Sequence, residues 1–144
     1  MRQKIKNEML GWYYKIWVDA ITITKAKSAE KSSWKTYTLI PMSALMGINL
    51  LTFFLGMKTL VNPNLPLFFP VTIFDYRLIN DFISIMATLF IPFVILNFLL
   101  IFNNNRYLQL MQNYKPHSGK LYKRYAFISI GLITIPFIIG KMFF

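Results

Sequence analysis

The chain has 144 residues, of which 56% are hydrophobic, and it has no cysteine. The length fits one domain, and the apolar content is typical of membrane proteins rather than of soluble globular ones. Without cysteine the chain has no disulfide, no thiolate nucleophile and no Cys-ligated metal.

The formal net charge of +11 is the second feature that limits the possible partners. A charge of this sign often indicates nucleic-acid binding. Here the basic residues lie in segments that alternate with long apolar stretches, where topology and anionic headgroups explain them more simply. We therefore expect membrane lipids, including anionic headgroups, as partners and no nucleic acid.

The first segment of the chain predicts an amphipathic helix over about residues 4–24. Its polar residues recur every three or four positions, and the i,i+4 pairs Lys4–Glu8 and Lys15–Asp19 should each contribute about 0.3 kcal/mol. The remaining surface is wide and aromatic, which favours a position in the headgroup boundary. A helix that binds a partner protein is the alternative. The polar stripe consists of Lys4, Glu8, Gly11, Lys15, Asp19 and Thr22.

Three apolar stretches follow, Tyr37–Leu60, Phe82–Phe102 and Ala126–Met142. As helices at about 1.5 Å per residue they are long enough to cross a hydrocarbon layer of about 30 Å. The predicted fold class is therefore all-α, a polytopic integral membrane protein with three transmembrane helices after the interfacial helix. Ser32 or Ser33 would cap the first of these helices.

The distribution of Lys and Arg predicts the orientation of a single membrane domain over residues 1–144. Residues 1–36 hold eight basic residues and residues 103–125 hold five, whereas the connection 61–81 has only Arg77. By the positive-inside rule the first two segments are cytoplasmic, and the connection 61–81 and the C-terminus are outside. The high Lys, Ile, Asn and Phe content suggests a bacterial source, and hence the inner membrane.

The two connections differ in composition. The outer connection contains Pro63, Pro66 and Pro70 among apolar residues, which prevents a continuous helix and favours packing at the membrane boundary over a lid. Asp81 is expected to pair with Arg77 and to cap the following helix, although a cation site formed by Asp75 and Asp81 is the alternative. In the inner connection, residues 106–114 predict a short helix that the sequence KPHSGK ends.

Polar and small residues within the apolar stretches indicate helix packing. Small residues four apart let helices approach closely, and a buried amide needs a partner. Asn97 is a candidate partner for Asn49, and a second copy or another subunit is the alternative. The predicted packing residues are Ser43, Gly47, Asn49, Thr52, Gly56, Ser84, Thr88 and Asn97, and the predicted membrane-surface residues are Lys4, Lys15, Trp12, Trp17, Lys25, Lys27, Arg106, Lys120, Lys123 and Arg124.

Two apolar segments resemble each other. The second stretch contains FISIMATLFIPF and the third contains FISIGLITIPF, so that Pro92 corresponds to Pro136. The match needs a one-residue gap, and both segments are low in complexity. Chance explains it more simply than an inverted repeat of the kind found in some transporters.

The residues of this chain argue against catalysis. No charged residue lies in the central part of an apolar stretch, which disfavours a pump or a proton-coupled carrier. The single histidine, His117, has no carboxylate beside it, and no phosphate-binding glycine loop occurs. We expect no enzyme, no cofactor and no bound metal.

The function expected from these features is that of a non-catalytic subunit or stabilising factor of a larger inner-membrane complex, which binds partner helices through its spans. Its partners would be other integral membrane subunits or copies of itself. The alternative is a small channel or membrane-permeabilising effector formed by several copies, whose polar faces would line a pore.

Overall fold

The computed structural model describes residues 2–27 and 33–143, and the side chains of these except residues 2–7, 136, 139, 140 and 143. The described residues form helices joined by non-helical connections, with no strand, so the predicted all-α class is confirmed. The helices are α1 (Arg2–Lys27), α2 (Trp34–Leu60), α3 (Arg77–Ile85), α4 (Ile91–Asn97), α5 (Arg106–Asn113) and α6 (Lys120–Phe143).

Two helical segments are long and apolar enough to cross a membrane. One is α2, with 27 residues, and the other is the run Arg77–Asn113, with 37 residues, which joins α3, α4 and α5. At about 1.5 Å per residue α2 is about 40 Å long, more than a hydrocarbon layer requires. The third predicted span lies within α6, and its passage through a membrane stays a prediction.

The helices begin earlier than the apolar stretches do. The second begins at Arg77 rather than Phe82, and the third at Lys120 rather than Ala126. Hydropathy marks where a helix becomes apolar, whereas the helix itself continues into polar residues because its backbone hydrogen bonds do not depend on side-chain polarity. The predicted helix over residues 4–24 is part of α1, and the short helix predicted in the inner connection is α5.

Pro92 is accommodated by a wider turn immediately before it. In the π-helical turn Met86–Phe90 the N–H of Ile91 donates to the carbonyl of Met86, five residues back. Such a turn takes up one extra residue in an α-helix. Residues 82–93, which resemble residues 127–137, are one residue longer, and the extra residue falls in this region. Ser84 and the corresponding Ser129 are both buried. A second π-helical turn, Phe98–Phe102, leads to a 3-10 turn over Asn103–Asn105.

The buried core lies where α1, α2 and the second π-helical turn meet. The ring of Trp17 in α1 packs edge-on against Phe102, with ring centroids 5.8 Å apart. Trp17 is 0% exposed, whereas Trp12 on the same helix is 58% exposed. The prediction that placed Trp17 at a membrane surface is therefore wrong. The core residues are Trp17, Ala20, Ile21, Trp34, Met42, Ile101 and Phe102.

The outer connection, residues 61–76, is not helical and lies against the helix that follows it. The backbone N–H of Phe69 donates to the Thr88 hydroxyl at 3.0 Å, and that of Val71 donates to the Ser84 hydroxyl at 2.9 Å. These two bonds hold the proline-rich connection against the helix. They also give two of its backbone N–H groups the acceptors that a helix would otherwise supply.

The predicted Arg77–Asp81 ion pair is present at 3.7 Å, and both side chains are exposed. The prediction that Asp81 caps the helix is wrong, because α3 begins at Arg77 and Tyr76 occupies the capping position. α2 begins directly after Ser33, one of the two residues predicted to precede it, while Ser32 lies outside the described residues.

Gly47 marks the closest approach between α2 and the π-helical turn. A Cβ added at Gly47 would overlap the carbonyl oxygen of Leu89, whereas one added at Gly56 meets nothing within 4 Å. The predicted close approach of helices at a small residue is therefore seen at Gly47, and Gly56 faces open space.

Gly47→Ala should destabilise the protein by about 1–3 kcal/mol, because backbone atoms of Leu89 would have to move. Gly56→Ala is the matched control and should leave stability unchanged or raise it by up to about 1 kcal/mol through helix propensity. Thermal unfolding in mild detergent measures both. Equal effects of the two substitutions would contradict the close approach.

Candidate functional site

The predicted packing residues differ in what they contact. Ser43, Gly47, Asn49 and Asn97 lie where helices of the same chain meet. Thr52 donates to the carbonyl of Ile48 within its own helix. Ser84 and Thr88 bond to the outer connection, as described above, and a Cβ added at Gly56 would meet nothing within 4 Å among the described residues.

Asn97 joins three helices. It is fully buried, and its Oδ1 accepts a hydrogen bond from the Tyr13 hydroxyl of α1 at 2.7 Å. Its Nδ2 donates to the Ser43 hydroxyl of α2 at 3.0 Å and lies 3.3 Å from the Met46 sulfur. Burial raises the pKa of Tyr13, so its hydroxyl keeps the proton that it donates. Asn97 therefore has partners for both its carbonyl and its amino group.

Asn49 pairs with a residue that the sequence did not indicate. Its Nδ2 donates to the Tyr125 hydroxyl of α6 at 2.9 Å, so the predicted pairing of Asn49 with Asn97 is wrong. Asn97 lies nearer the inner end of the bundle and bonds to Ser43, about two turns before Asn49 on α2. Asn49 thus joins α2 to α6, and its Oδ1 has no hydrogen-bond partner among the described residues.

A buried carboxylate links α1 to the start of α6. Asp19 is 0% exposed, and its Oδ1 accepts hydrogen bonds from the backbone N–H of His117 at 2.8 Å and of Gly119 at 2.7 Å. Its Oδ2 accepts from the N–H of Tyr122 at 3.1 Å. A capping residue normally bonds to the helix that directly follows it in sequence. Here the cap comes from a helix about 100 residues earlier in the chain.

The turn before α6 is shaped to present these N–H groups. Gly119 has φ of 81° and Ser118 has φ of 55°, so both are in the left-handed region. Gly119 is also buried, and an added Cβ would overlap the side chain of Ile23 on α1. Only glycine meets both requirements, the positive φ and the close contact with α1.

The sequence had assigned Asp19 to an i,i+4 pair with Lys15, and this prediction is wrong. The only ion pair among the described residues is Arg77–Asp81. The Lys15 ammonium instead lies 5.5 Å from the centroid of the Trp12 ring. Helix periodicity predicts that Asp19 lies on the polar stripe of α1. It cannot predict a contact with the start of α6, which lies about 100 residues later in the chain. The side chain of Lys4, predicted to pair with Glu8, lies outside the described residues.

Parts of the two predicted basic segments lie together at one end of the bundle, where the end of α1 and the start of α2 meet α5. The Lys25 ammonium lies 4.9 Å from the ring centroid of Trp34 and 5.9 Å from that of Tyr107. The Lys35 ammonium lies 5.9 Å from the Trp34 centroid and 5.1 Å from the Tyr107 centroid. Contacts of this kind contribute about 0.5–1 kcal/mol at exposed sites. The exposed basic residues predicted for a membrane surface are Lys25, Lys27, Arg106, Lys120, Lys123 and Arg124.

Two cavities lie near these features. A partly open apolar cavity of about 220 Å³ is lined by Tyr13, Ile16, Met42, Met46 and Tyr125, between the Asn97 and Asn49 hydrogen bonds. A second cavity, which we call the Arg106 groove, has a volume of about 320 Å³ and lies between α1 and α5. The residues that line the Arg106 groove are Tyr14, Leu100, Arg106, Gln109, Leu110, Asn113 and Tyr114.

The arrangement supports structural roles for the polar side chains. Asp19, Asn97 and Asn49 each bond to another helix, or to the turn that starts it. In the described part of the chain no three His, Asp or Glu side chains lie close enough together to hold a metal ion. No known family model, characterised protein or solved structure matches the chain.

Tyr13→Phe and Asn97→Leu should each destabilise the protein by about 1–3 kcal/mol, because each leaves a buried polar group without its partner. A double-mutant cycle of the two substitutions should give a coupling energy of about 0.6 kcal/mol or more, measured by unfolding in mixed micelles. Tyr37→Phe, at an exposed tyrosine of α2, is the control and should have no effect. A coupling energy near zero would contradict the Tyr13–Asn97 bond.

Proposed function

We propose that this chain is a small, non-catalytic integral membrane subunit or stabilising factor of a larger bacterial inner-membrane complex, and that it binds partner helices through its spans. In this proposal α2, the run from Arg77 to Phe102 and α6 cross the membrane. The N-terminus is cytoplasmic and the C-terminus is outside.

One observation carries the proposal. Most of the described polar side chains in the apolar helices bond within the chain, and the outward faces that remain are apolar. Asn97, Asn49 and Ser43 join helices of one chain, while Ser84 and Thr88 hold its outer connection. Large apolar side chains cover the outward faces, among them Phe53, Ile95, Phe98, Phe127, Ile130 and Phe137. Such faces suit lipid tails and other membrane helices.

Gly56 supports a helix partner in addition to lipid. A Cβ added there meets nothing within 4 Å, and the exposed side chains of Phe53 and Leu60 lie about one turn from it. An open glycine on an apolar face lets another helix approach closely, in the way that Gly47 admits Leu89 within this chain.

The gathering of the basic segments supports the proposed orientation. Asp19 holds the start of α6 near α1, and Lys25 and Lys35 lie beside Tyr107. Segments with most of the Lys and Arg residues are expected on the cytoplasmic side.

The alternative, a channel formed by several copies, finds less support. Its pore would be lined by Asn49, Thr52, Ser84 and Thr88. Ser84 and Thr88 accept hydrogen bonds from the outer connection, and Asn49 bonds to Tyr125. These groups are therefore engaged inside one chain and do not form a common polar face.

Purification of the full chain from its native membrane in mild detergent, followed by mass measurement, tests the proposal. We expect stoichiometric foreign subunits. Gly56→Ile should reduce their recovery several-fold while the isolated chain keeps its stability, because the site is open in the chain alone. Gly11→Ile, at an equally open glycine of α1, is the matched control and should retain the partners.

A homogeneous ring of this chain alone would contradict the proposal and favour the channel. A single copy without partners would contradict both.

A further inference from the structure

We propose that the Arg106 groove binds the phosphate of an anionic phospholipid headgroup. The inference rests on the proposed function in one respect, that the chain spans a membrane. It does not depend on whether the chain joins a larger complex.

The chemistry of the groove fits a phosphodiester. Arg106 supplies a guanidinium, which binds phosphate oxygens with two parallel N–H donors. Gln109, Asn113, Tyr14 and Tyr114 also line the groove, and their side chains carry neutral hydrogen-bond donors. The apolar side chains Leu100 and Leu110 complete the lining and suit the first carbons of an acyl chain.

These donors are free to bind a ligand. Within the described part of the chain, no carboxylate lies within 4 Å of Arg106, and the side chains of Gln109 and Asn113 make no hydrogen bond. The rings of Tyr14 and Tyr114 pack together with centroids 6.1 Å apart, which fixes one wall of the groove. Arg106 is the one charged residue in the lining.

The location of the groove favours a lipid over a soluble ligand. Leu100 belongs to the apolar run, whereas Arg106 follows the turn Asn103–Asn105, where Asn104 and Asn105 have φ of 53° and 55° and the chain changes direction. The groove therefore extends from the apolar helix to the polar inner connection. Basic pockets at the cytoplasmic ends of membrane helices are typical sites for anionic headgroups. Its volume of about 320 Å³ lies at the lower end of the range for ligand pockets, roughly 300–1,000 Å³.

Native mass spectrometry of the full-length protein, incubated with phosphatidylglycerol or phosphatidylcholine in mild detergent, tests the proposal. The wild type should retain phosphatidylglycerol in preference to phosphatidylcholine. Arg106→Gln should reduce that retention by about tenfold or more, since it removes the guanidinium charge and its charge-assisted hydrogen bonds. Arg124→Gln, an equal change of charge at an exposed residue of α6 outside the groove, should change it less than about twofold.

Three outcomes would overturn the proposal. Equal losses for Arg106→Gln and Arg124→Gln would indicate attraction to the overall charge. Retention of phosphatidylcholine equal to that of phosphatidylglycerol would remove the anionic preference. Displacement of the lipid by excess inorganic phosphate would indicate a site for free phosphate.

Unchanged thermal unfolding of Arg106→Gln would establish that a loss of retention is not a loss of fold. The same spectra report any foreign subunits, so failure of the proposed complex would be seen separately.

Discussion

The Asp19 carboxylate is the interaction on which the arrangement of the helices most depends. It is buried in the contact between α1 and α6 and accepts three backbone N–H groups at the start of α6. The first N–H groups of any helix lack partners within it and carry a partial positive charge. A buried carboxylate is costly without such donors, and buried donors are costly without an acceptor. The carboxylate and the N–H groups therefore stabilise each other, and this contact fixes α1 to the start of α6.

Neutral side chains form the other polar contacts between helices. Asn97 brings α4 to α1 and α2, and Asn49 brings α2 to α6. In a lipid environment an amide can hardly find water, so the pairing that satisfies it also determines which helices meet. Apolar packing of Trp17 against Phe102 and the contact of Gly47 with Leu89 fill the space between these bonds. Most polar side chains of the apolar helices thus bond within the chain, and large apolar side chains remain exposed on its surface.

Local sequence patterns predicted most of the secondary structure and little of the long-range pairing. Apolar length and periodicity located α1, α2 and the apolar part of the run from Arg77, and Pro116 with Gly119 marked the break before α6. The partners of Asp19 and Asn49 could not be predicted, because both lie on helices about 80 to 100 residues away in the chain. The one local signal was Gly119, where a glycine directly before a basic helical segment is compatible with a positive φ. Trp17 was misplaced because a helix face that suits a membrane boundary equally suits a protein core.

The role of Asp19 as the cap of α6 is tested most directly by amide hydrogen exchange of the full chain, wild type and Asp19→Ala. The amides of His117, Gly119 and Tyr122 should be protected in the wild type. Their exchange should accelerate by about tenfold or more in Asp19→Ala. The amides of α2 around Ser43, which belong to a separate contact, should exchange at unchanged rates. Equal exchange rates of these three amides in both proteins would show that Asp19 does not cap α6.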